Sequence, residues 1–117
     1  MSGWQPRQPA GGGSSVSRFR SPFPPPEGHQ REVATVLIEE CAEVQQRATK
    51  LLRFGVQEIQ PGQDLNNATR LGMEIGDLLE VVDLAITAGL VSPASIELGR
   101  TNKRRQLAKF MQTDATP

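Results

Sequence analysis

The chain has 117 residues with 13 basic and 13 acidic side chains, so its formal net charge is zero. This length predicts a single domain, and the balanced charge argues against a general nucleic-acid-binding protein, which would be strongly basic. No apolar run reaches the length that a membrane-spanning helix needs. With one cysteine and one histidine, the chain lacks the four such ligands of usual structural zinc sites, and the single cysteine fits a reducing, cytoplasmic location.

Residues 1–28 differ in composition from the rest of the chain. They hold six of the nine prolines and the run Gly-Gly-Gly-Ser-Ser. Such a segment buries too little apolar area to offset its chain entropy, so we predict a flexible N-terminal arm. The alternative is an arm that docks Trp4, Phe19 or Phe23 on a neighbouring subunit. Residues 29–117 form the predicted folded domain.

From Gln30 onward the apolar residues recur at spacings of three and four, which is the period of an amphipathic helix. The first predicted helix covers roughly 30–54 and stops at Gly55. Its apolar residues are Val33, Val36, Leu37, Val44, Ala48, Leu51 and Leu52. A loop over 55–66 follows.

The second predicted helix is capped by Asp64, Asn66 or Asn67 and ends at Gly89. Its apolar residues are Leu71, Ile75, Leu78, Val82, Ala85 and Ile86. Ser92 and Pro93 then begin a third helix, or a broken pair of helices, over roughly 93–112. Its apolar residues are Ile96, Leu98, Leu107, Phe110 and Met111.

These elements predict an all-α fold, a helical bundle of three to four helices per chain. A core of this size is marginal by itself, and small helical units often gain stability by associating. Both long helices are apolar over a wide arc, which leaves surface for a second subunit. We therefore expect a homo-oligomer, either a dimer or a tetramer.

Acidic residues stand where the core is expected. Glu40 lies on the inward stripe of the first helix, and Glu43 follows one turn later. On the second helix Glu74 falls at the edge of the stripe, with Asp77 three residues further. Carboxylates near an apolar core are costly unless they are protonated or hold cations. Oxygen ligands without nitrogen or sulfur suit a hard cation such as Mg²⁺ or Mn²⁺.

The acidic residues have two other interpretations. The first is a solvated acidic face on each helix, which is the common explanation of a run of charges. The second is a di-iron carboxylate bundle. That class needs Glu-x-x-His pairs, and His29 does not follow a glutamate by three residues.

Basic residues crowd the third predicted helix. They are Arg100, Lys103, Arg104, Arg105 and Lys109. Cations near a helix C-terminus are favoured by the helix dipole, which is the simplest explanation. Folded against an acidic metal site, they would instead bind phosphate oxygens, as in the hydrolysis of phosphate anhydrides.

The segments Glu39-Glu40-Cys41-Ala42-Glu43 and Glu74-Ile75-Gly76-Asp77 resemble the EExxE and ExxD motifs of the all-α nucleoside triphosphate pyrophosphatases. That superfamily includes MazG, the dimeric dUTPases, the dCTP pyrophosphatases and the phosphoribosyl-ATP pyrophosphatases. The resemblance is closest to short MazG-like members and covers about residues 29–112. It rests on both motifs, in order on two helices, followed by Asn102-Lys103-Arg104-Arg105.

The resemblance implies hydrolysis of an NTP or dNTP between the α- and β-phosphates, with Mg²⁺ as cofactor and Mn²⁺ as a possible substitute. Glu40, Glu43, Glu74 and Asp77 would be the metal ligands. Glu39 would orient or deprotonate the attacking water.

The resemblance also implies that Asn102 and Lys103 contact phosphate, with Arg104 as a further cation. His29 either lies near the nucleobase or has no role, and Lys50 is a candidate for contact with the triphosphate or the base. The alternative function is a non-enzymatic helical interaction module or a nucleotide-binding regulator. No direct contact with nucleic acid or membrane is expected.

Overall fold

The computed structural model describes Gly3 and residues 22–117. Within these residues the protein forms three helices and no strand: α1 over Gly28–Phe54, α2 over Asn67–Thr87 and α3 over Pro93–Phe110. This confirms the predicted all-α class. Most of the predicted N-terminal arm, including Trp4 and Phe19, lies outside the described residues.

The helix ends follow the local signals in the sequence. Gly55 ends α1 with φ 108°, and its backbone N–H donates to the Leu51 carbonyl. Asn66, one of the three predicted caps, accepts a hydrogen bond from the Thr69 N–H at 2.8 Å. Ser92 caps α3, with Pro93 as the first helical residue. Because each cap satisfies a backbone group that the helix leaves unpaired, these boundaries are determined locally. The third segment is one continuous helix rather than a broken pair.

Helices α1 and α2 pack together as an antiparallel pair. Near the start of α1, the Gln30 side-chain amide donates to the carbonyl of Ala88, just after the end of α2, at 2.8 Å. At the other end, the Asn67 amide donates to the Gly55 carbonyl at 2.9 Å. Among the described residues, the buried apolar side chains are Val33, Val81 and Ala85.

The packed face of α2 is rotated slightly from the predicted stripe. Ile75, predicted to point inward, is 40% exposed, whereas Val81 is buried and was not part of the prediction. Leu52, one of the apolar residues of α1 that establish its helical spacing, is 84% exposed. The apolar arc of each helix is wider than the face its partner covers, so apolar periodicity alone did not locate the contact line.

Helix α3 contributes no buried residue. Leu98 and Phe110, two of the apolar residues of this helix, are 63% and 72% exposed. Within the described part of one chain, the predicted bundle is therefore a packed pair of helices followed by a third helix on the surface. None of the described helices is long and apolar enough to span a membrane.

Candidate metal centre

Three carboxylates from two helices meet at one point of the α1–α2 pair. Glu40 of α1 and Glu74 and Asp77 of α2 each offer an oxygen, and these three oxygens lie within 4.8 Å of one another. We call this group the carboxylate cluster. Glu74 and Asp77 are three residues apart, which places them on one face of α2. The antiparallel packing brings that face against Glu40.

Glu40 is the most constrained member of the carboxylate cluster. Its side chain is half-buried. Its Oε2 atom is buried and has no hydrogen-bond partner among the described residues. Burial raises the pKa of Glu40, and the negative charges of Asp77, Glu74, Glu43 and Glu39 raise it further, in that order. A buried carboxylate oxygen beside other carboxylates is stabilised by a proton or a bound cation.

The packed face explains the position of Glu74. Asn67, Glu74, Val81 and Ala85 are half-buried or buried at helical spacings. Glu74 therefore lies within the contact face of α2, not at the edge as predicted. A glutamate here faces the other helix, as Glu40 does from α1.

Two acidic residues of the first motif lie outside the carboxylate cluster. Glu39 and Glu43 are exposed on α1 and do not belong to the group of three converging oxygens. Both still contribute to raising the pKa of Glu40. The structure thus brings together three of the four carboxylates predicted as ligands, and it leaves Glu39 beside them on the solvent side.

The donor set fits a hard divalent cation. All three cluster donors are carboxylate oxygens, which Mg²⁺ and Mn²⁺ prefer over nitrogen or sulfur ligands. The Glu40 Oε2 atom is a buried acceptor that no group within residues 22–117 satisfies. In addition, Mg²⁺ usually keeps several waters and shares its remaining positions with substrate phosphates, so three protein carboxylates suffice.

His29 and Lys50, the residues predicted near the nucleobase or the triphosphate, lie at opposite ends of α1. His29 is exposed in the first turn, and Lys50 is half-buried near the last turns. From Glu40 they are displaced along the helix axis by about 16 Å and about 15 Å respectively, in opposite directions. A nucleotide bound at the carboxylate cluster would have to extend three turns both ways to reach both residues.

The cations predicted to bind phosphate all lie on α3. Asn102, Lys103 and Arg104 are exposed, and Arg104 forms an ion pair with Glu97 of the same helix at 3.2 Å. No hydrogen bond or ion pair joins these three side chains to the carboxylate cluster within residues 22–117. Their predicted role would require α3 to approach the cluster from another position or another subunit.

Two arginines of the packed pair share a pocket with a member of the carboxylate cluster. Arg47 of α1 and Arg70 of α2 line a pocket of about 250 Å³ that Glu74 also lines. Neither was singled out from the sequence. The signal was present, because Arg47 follows Glu40 by seven residues and so stands on the same inward stripe. A cation on that stripe indicates that the contact between α1 and α2 stays polar beyond the carboxylate cluster.

The loop over 55–66 is held against the start of α2. The buried amide of Asn67 donates to the Gly55 carbonyl at 2.9 Å and to a Glu58 carboxylate oxygen at 3.2 Å. The Asn67 backbone N–H donates to the Glu58 carbonyl at 2.9 Å. Arg70 donates to the side-chain oxygen of Gln60 at 3.0 Å. These contacts fix the loop beside the pocket and hold Arg70 through a neutral partner.

Comparison with other proteins adds no family assignment. The chain matches no protein-family model, no curated protein and no solved structure.

Proposed function

We propose that the protein hydrolyses an NTP or dNTP between the α- and β-phosphates, releasing a nucleoside monophosphate and pyrophosphate, with Mg²⁺ as cofactor. The observation that supports this proposal is the meeting of Glu40, Glu74 and Asp77 within 4.8 Å. These residues belong to the two segments that resemble the EExxE and ExxD motifs. A solvated acidic face would leave the carboxylates apart and hydrated, whereas the Glu40 Oε2 atom is buried.

Glu40, Glu74 and Asp77 would hold the cation, and the resemblance to the EExxE motif implies Glu43 as a fourth ligand. The chemistry that a divalent cation supplies when bound is stabilisation of the charge on phosphate oxygens. Mn²⁺ has the same preference for oxygen and is expected to substitute.

Glu39 is the residue that we assign to the attacking water. Its carboxylate is exposed one residue from Glu40, where it can accept a proton from water. The water oxygen bonds to the α-phosphorus while the bond from that phosphorus to the α–β bridging oxygen breaks. Pyrophosphate leaves with the electron pair, and the proton of the water passes to Glu39.

We further propose that the chain works as a homo-oligomer in the cytoplasm. Ile38, Leu52 and Leu79 are 70%, 84% and 60% exposed on the packed pair, and covering them with a second copy would remove this apolar area from water. Cys41 is an exposed free thiol, which fits a reducing compartment. Sedimentation at several concentrations tests the assembly, and Leu79→Lys is expected to shift it toward monomer.

The experiment that tests the activity is pyrophosphate release from a panel of NTPs and dNTPs with Mg²⁺ or Mn²⁺. Glu40→Gln is expected to abolish release, while Glu32→Gln is the matched control. Glu32 is exposed on the same helix, about 12 Å along the axis from Glu40. If no nucleotide is hydrolysed and Mn²⁺ does not raise the melting temperature, the proposal is wrong and the non-enzymatic module is favoured.

A further inference from the structure

The pocket beside the carboxylate cluster has an unusual charge arrangement. The Nη1 atom of Arg47 is buried and has no hydrogen-bond partner among the described residues. A buried guanidinium nitrogen without an acceptor loses its hydration and gains nothing in return. Arg47 also stands one turn after Glu43, where an ion pair on the helix surface is favoured. The one ion pair within residues 22–117 is nevertheless between Arg104 and Glu97.

Arg70 of α2 adds a second positive charge to the pocket. It lines the same pocket as Arg47, and its guanidinium is held by the neutral side chain of Gln60. Its charge is therefore positioned by the loop but is not neutralised by a carboxylate. Both guanidinium groups line one pocket, and neither forms an ion pair with a carboxylate of the described residues. Such an arrangement favours an anion.

The pocket is continuous with the carboxylate cluster through Glu74, which belongs to both. Arg47 lies about 10 Å along α1 from Glu40, and Arg70 lies about 6 Å along α2 from Glu74. Since the helices are antiparallel, both displacements run toward the 55–66 loop. A polyphosphate chain with one phosphate at the carboxylate cluster can therefore extend into the pocket without changing direction.

We propose that Arg47 and Arg70 form an anion subsite that binds the β- and γ-phosphates of the substrate, the part that leaves as pyrophosphate. This inference rests on the proposed hydrolysis for the identity of the anion. Arginine suits the role because its planar fork binds two phosphate oxygens at once. Asp64, exposed at the rim of the pocket, opposes binding of an anion. Asp64→Asn is therefore expected to tighten it.

The test uses inorganic tripolyphosphate, which has the phosphate chain but no sugar or base. Its dissociation constant is measured by calorimetry with excess Mg²⁺ for the full chain and for Arg47→Gln, Arg70→Gln and Arg31→Gln. Arg31 is the matched control, because it is exposed on α1 and lies outside the pocket. The KM for the best nucleotide and the Mn²⁺-induced shift in melting temperature are measured for the same variants.

We expect Arg47→Gln and Arg70→Gln each to weaken tripolyphosphate binding by about 10-fold to 100-fold, as for lost hydrogen bonds between charged groups. Arg31→Gln should not change it, and all variants should retain the Mn²⁺-induced shift. Arg47→Lys should recover only part of the affinity because lysine lacks the planar fork. Should Arg47→Gln fail to fold, Arg70→Gln and Arg47→Lys decide the question.

The outcomes separate the subsite from the proposed reaction. Hydrolysis by the wild type, with tripolyphosphate affinity and KM unchanged in both glutamine variants, overturns the subsite and leaves the reaction standing. Tripolyphosphate binding that depends on the arginines, without turnover of any nucleotide, supports the subsite and overturns the reaction. Unchanged tripolyphosphate affinity with an altered preference among bases assigns the pocket to the base and also overturns the subsite.

Discussion

The α1–α2 pair buries some of its charged atoms, whereas α3 leaves its charged side chains exposed. In the pair, a carboxylate oxygen of Glu40 and a guanidinium nitrogen of Arg47 are buried and have no hydrogen-bond partner within the part of the chain that the structure describes. In α3, Arg104 and Glu97 form an exposed pair, with side chains 57% and 65% accessible. Charged residues that look alike in the sequence therefore differ in the free energy that it costs to remove their charges from water. Exposed charges need only water, whereas buried charges need a proton, an ion or a ligand.

Among the variants compared between the two regions, the largest effect is expected from neutralising one member of the carboxylate cluster on α2. Asp77→Asn should lower kcat by about 100-fold to 1000-fold, the scale seen when one group that stabilises transition-state charge is removed. It should also reduce the Mn²⁺-induced rise in melting temperature. Asp83→Asn is the matched control, since Asp83 is exposed on the same helix outside the cluster. Equal losses in both variants would contradict a localised metal site.

The next effect concerns the loop that lies beside the pocket. Asn67→Ala should lower the free energy of unfolding by about 1–3 kcal/mol, because the Gly55 carbonyl and the Glu58 side chain lose the hydrogen bonds donated by the buried Asn67 amide. Asn102→Ala on exposed α3 should change it by no more than about 0.7 kcal/mol, the range of helix propensity. Urea unfolding measures both. Similar values for the two variants would mean that the loop does not depend on Asn67.

A smaller effect is expected from pH in the absence of divalent cations. Because the pKa of Glu40 is raised above its ordinary value of 4.5, the folded state holds this proton more tightly than the unfolded state. Stability should therefore fall as the pH rises from about 4.5 through the raised pKa. Glu40→Gln should remove this fall and raise the melting temperature of the metal-free protein at neutral pH, whereas Glu32→Gln should not.

Asp114 separates this effect from general acid denaturation. Hydrogen bonds from the backbone and side chain of Thr116 lower the pKa of Asp114 below its ordinary value of 3.8. Its contribution to stability is present above that value and is lost as the pH falls further. The two windows do not overlap, so melting temperatures across the acidic range with a chelator distinguish them. A fall with rising pH that persists in Glu40→Gln would assign the effect to other groups.

The smallest effect is expected on α3. Glu97→Gln removes the exposed pair with Arg104 and should lower the free energy of unfolding by less than about 0.5 kcal/mol, even at low salt. If this variant destabilised the protein as much as Asn67→Ala, the claim that the charges of α3 contribute little to stability would be wrong. Such a result would mean that another part of the protein or a second subunit packs on α3 in solution.

Local signals accounted for the helices and for most of the candidate site. Caps and glycines placed the helix ends because they satisfy or end hydrogen bonding within a few residues. The stripe on α1 correctly predicted that Glu40 points inward. The same reasoning placed Glu74 at an edge and did not identify Val81, because the contact line between two wide apolar arcs depends on both helices together.

The sequence by itself determined the all-α class, the three helices and the acidic pairs at helical spacing, since these depend on short-range hydrogen bonding and periodicity. Only the tertiary structure decided which acids meet, since Asp77 is exposed like Glu39 and Glu43 but belongs to the carboxylate cluster. Antiparallel packing brought Glu74 and Asp77 to Glu40, left Glu39 and Glu43 exposed, and placed Arg47 and Arg70 around one pocket. The physical reason is that burial of a charge depends on the helix packed against it, which residue spacing within one helix does not specify.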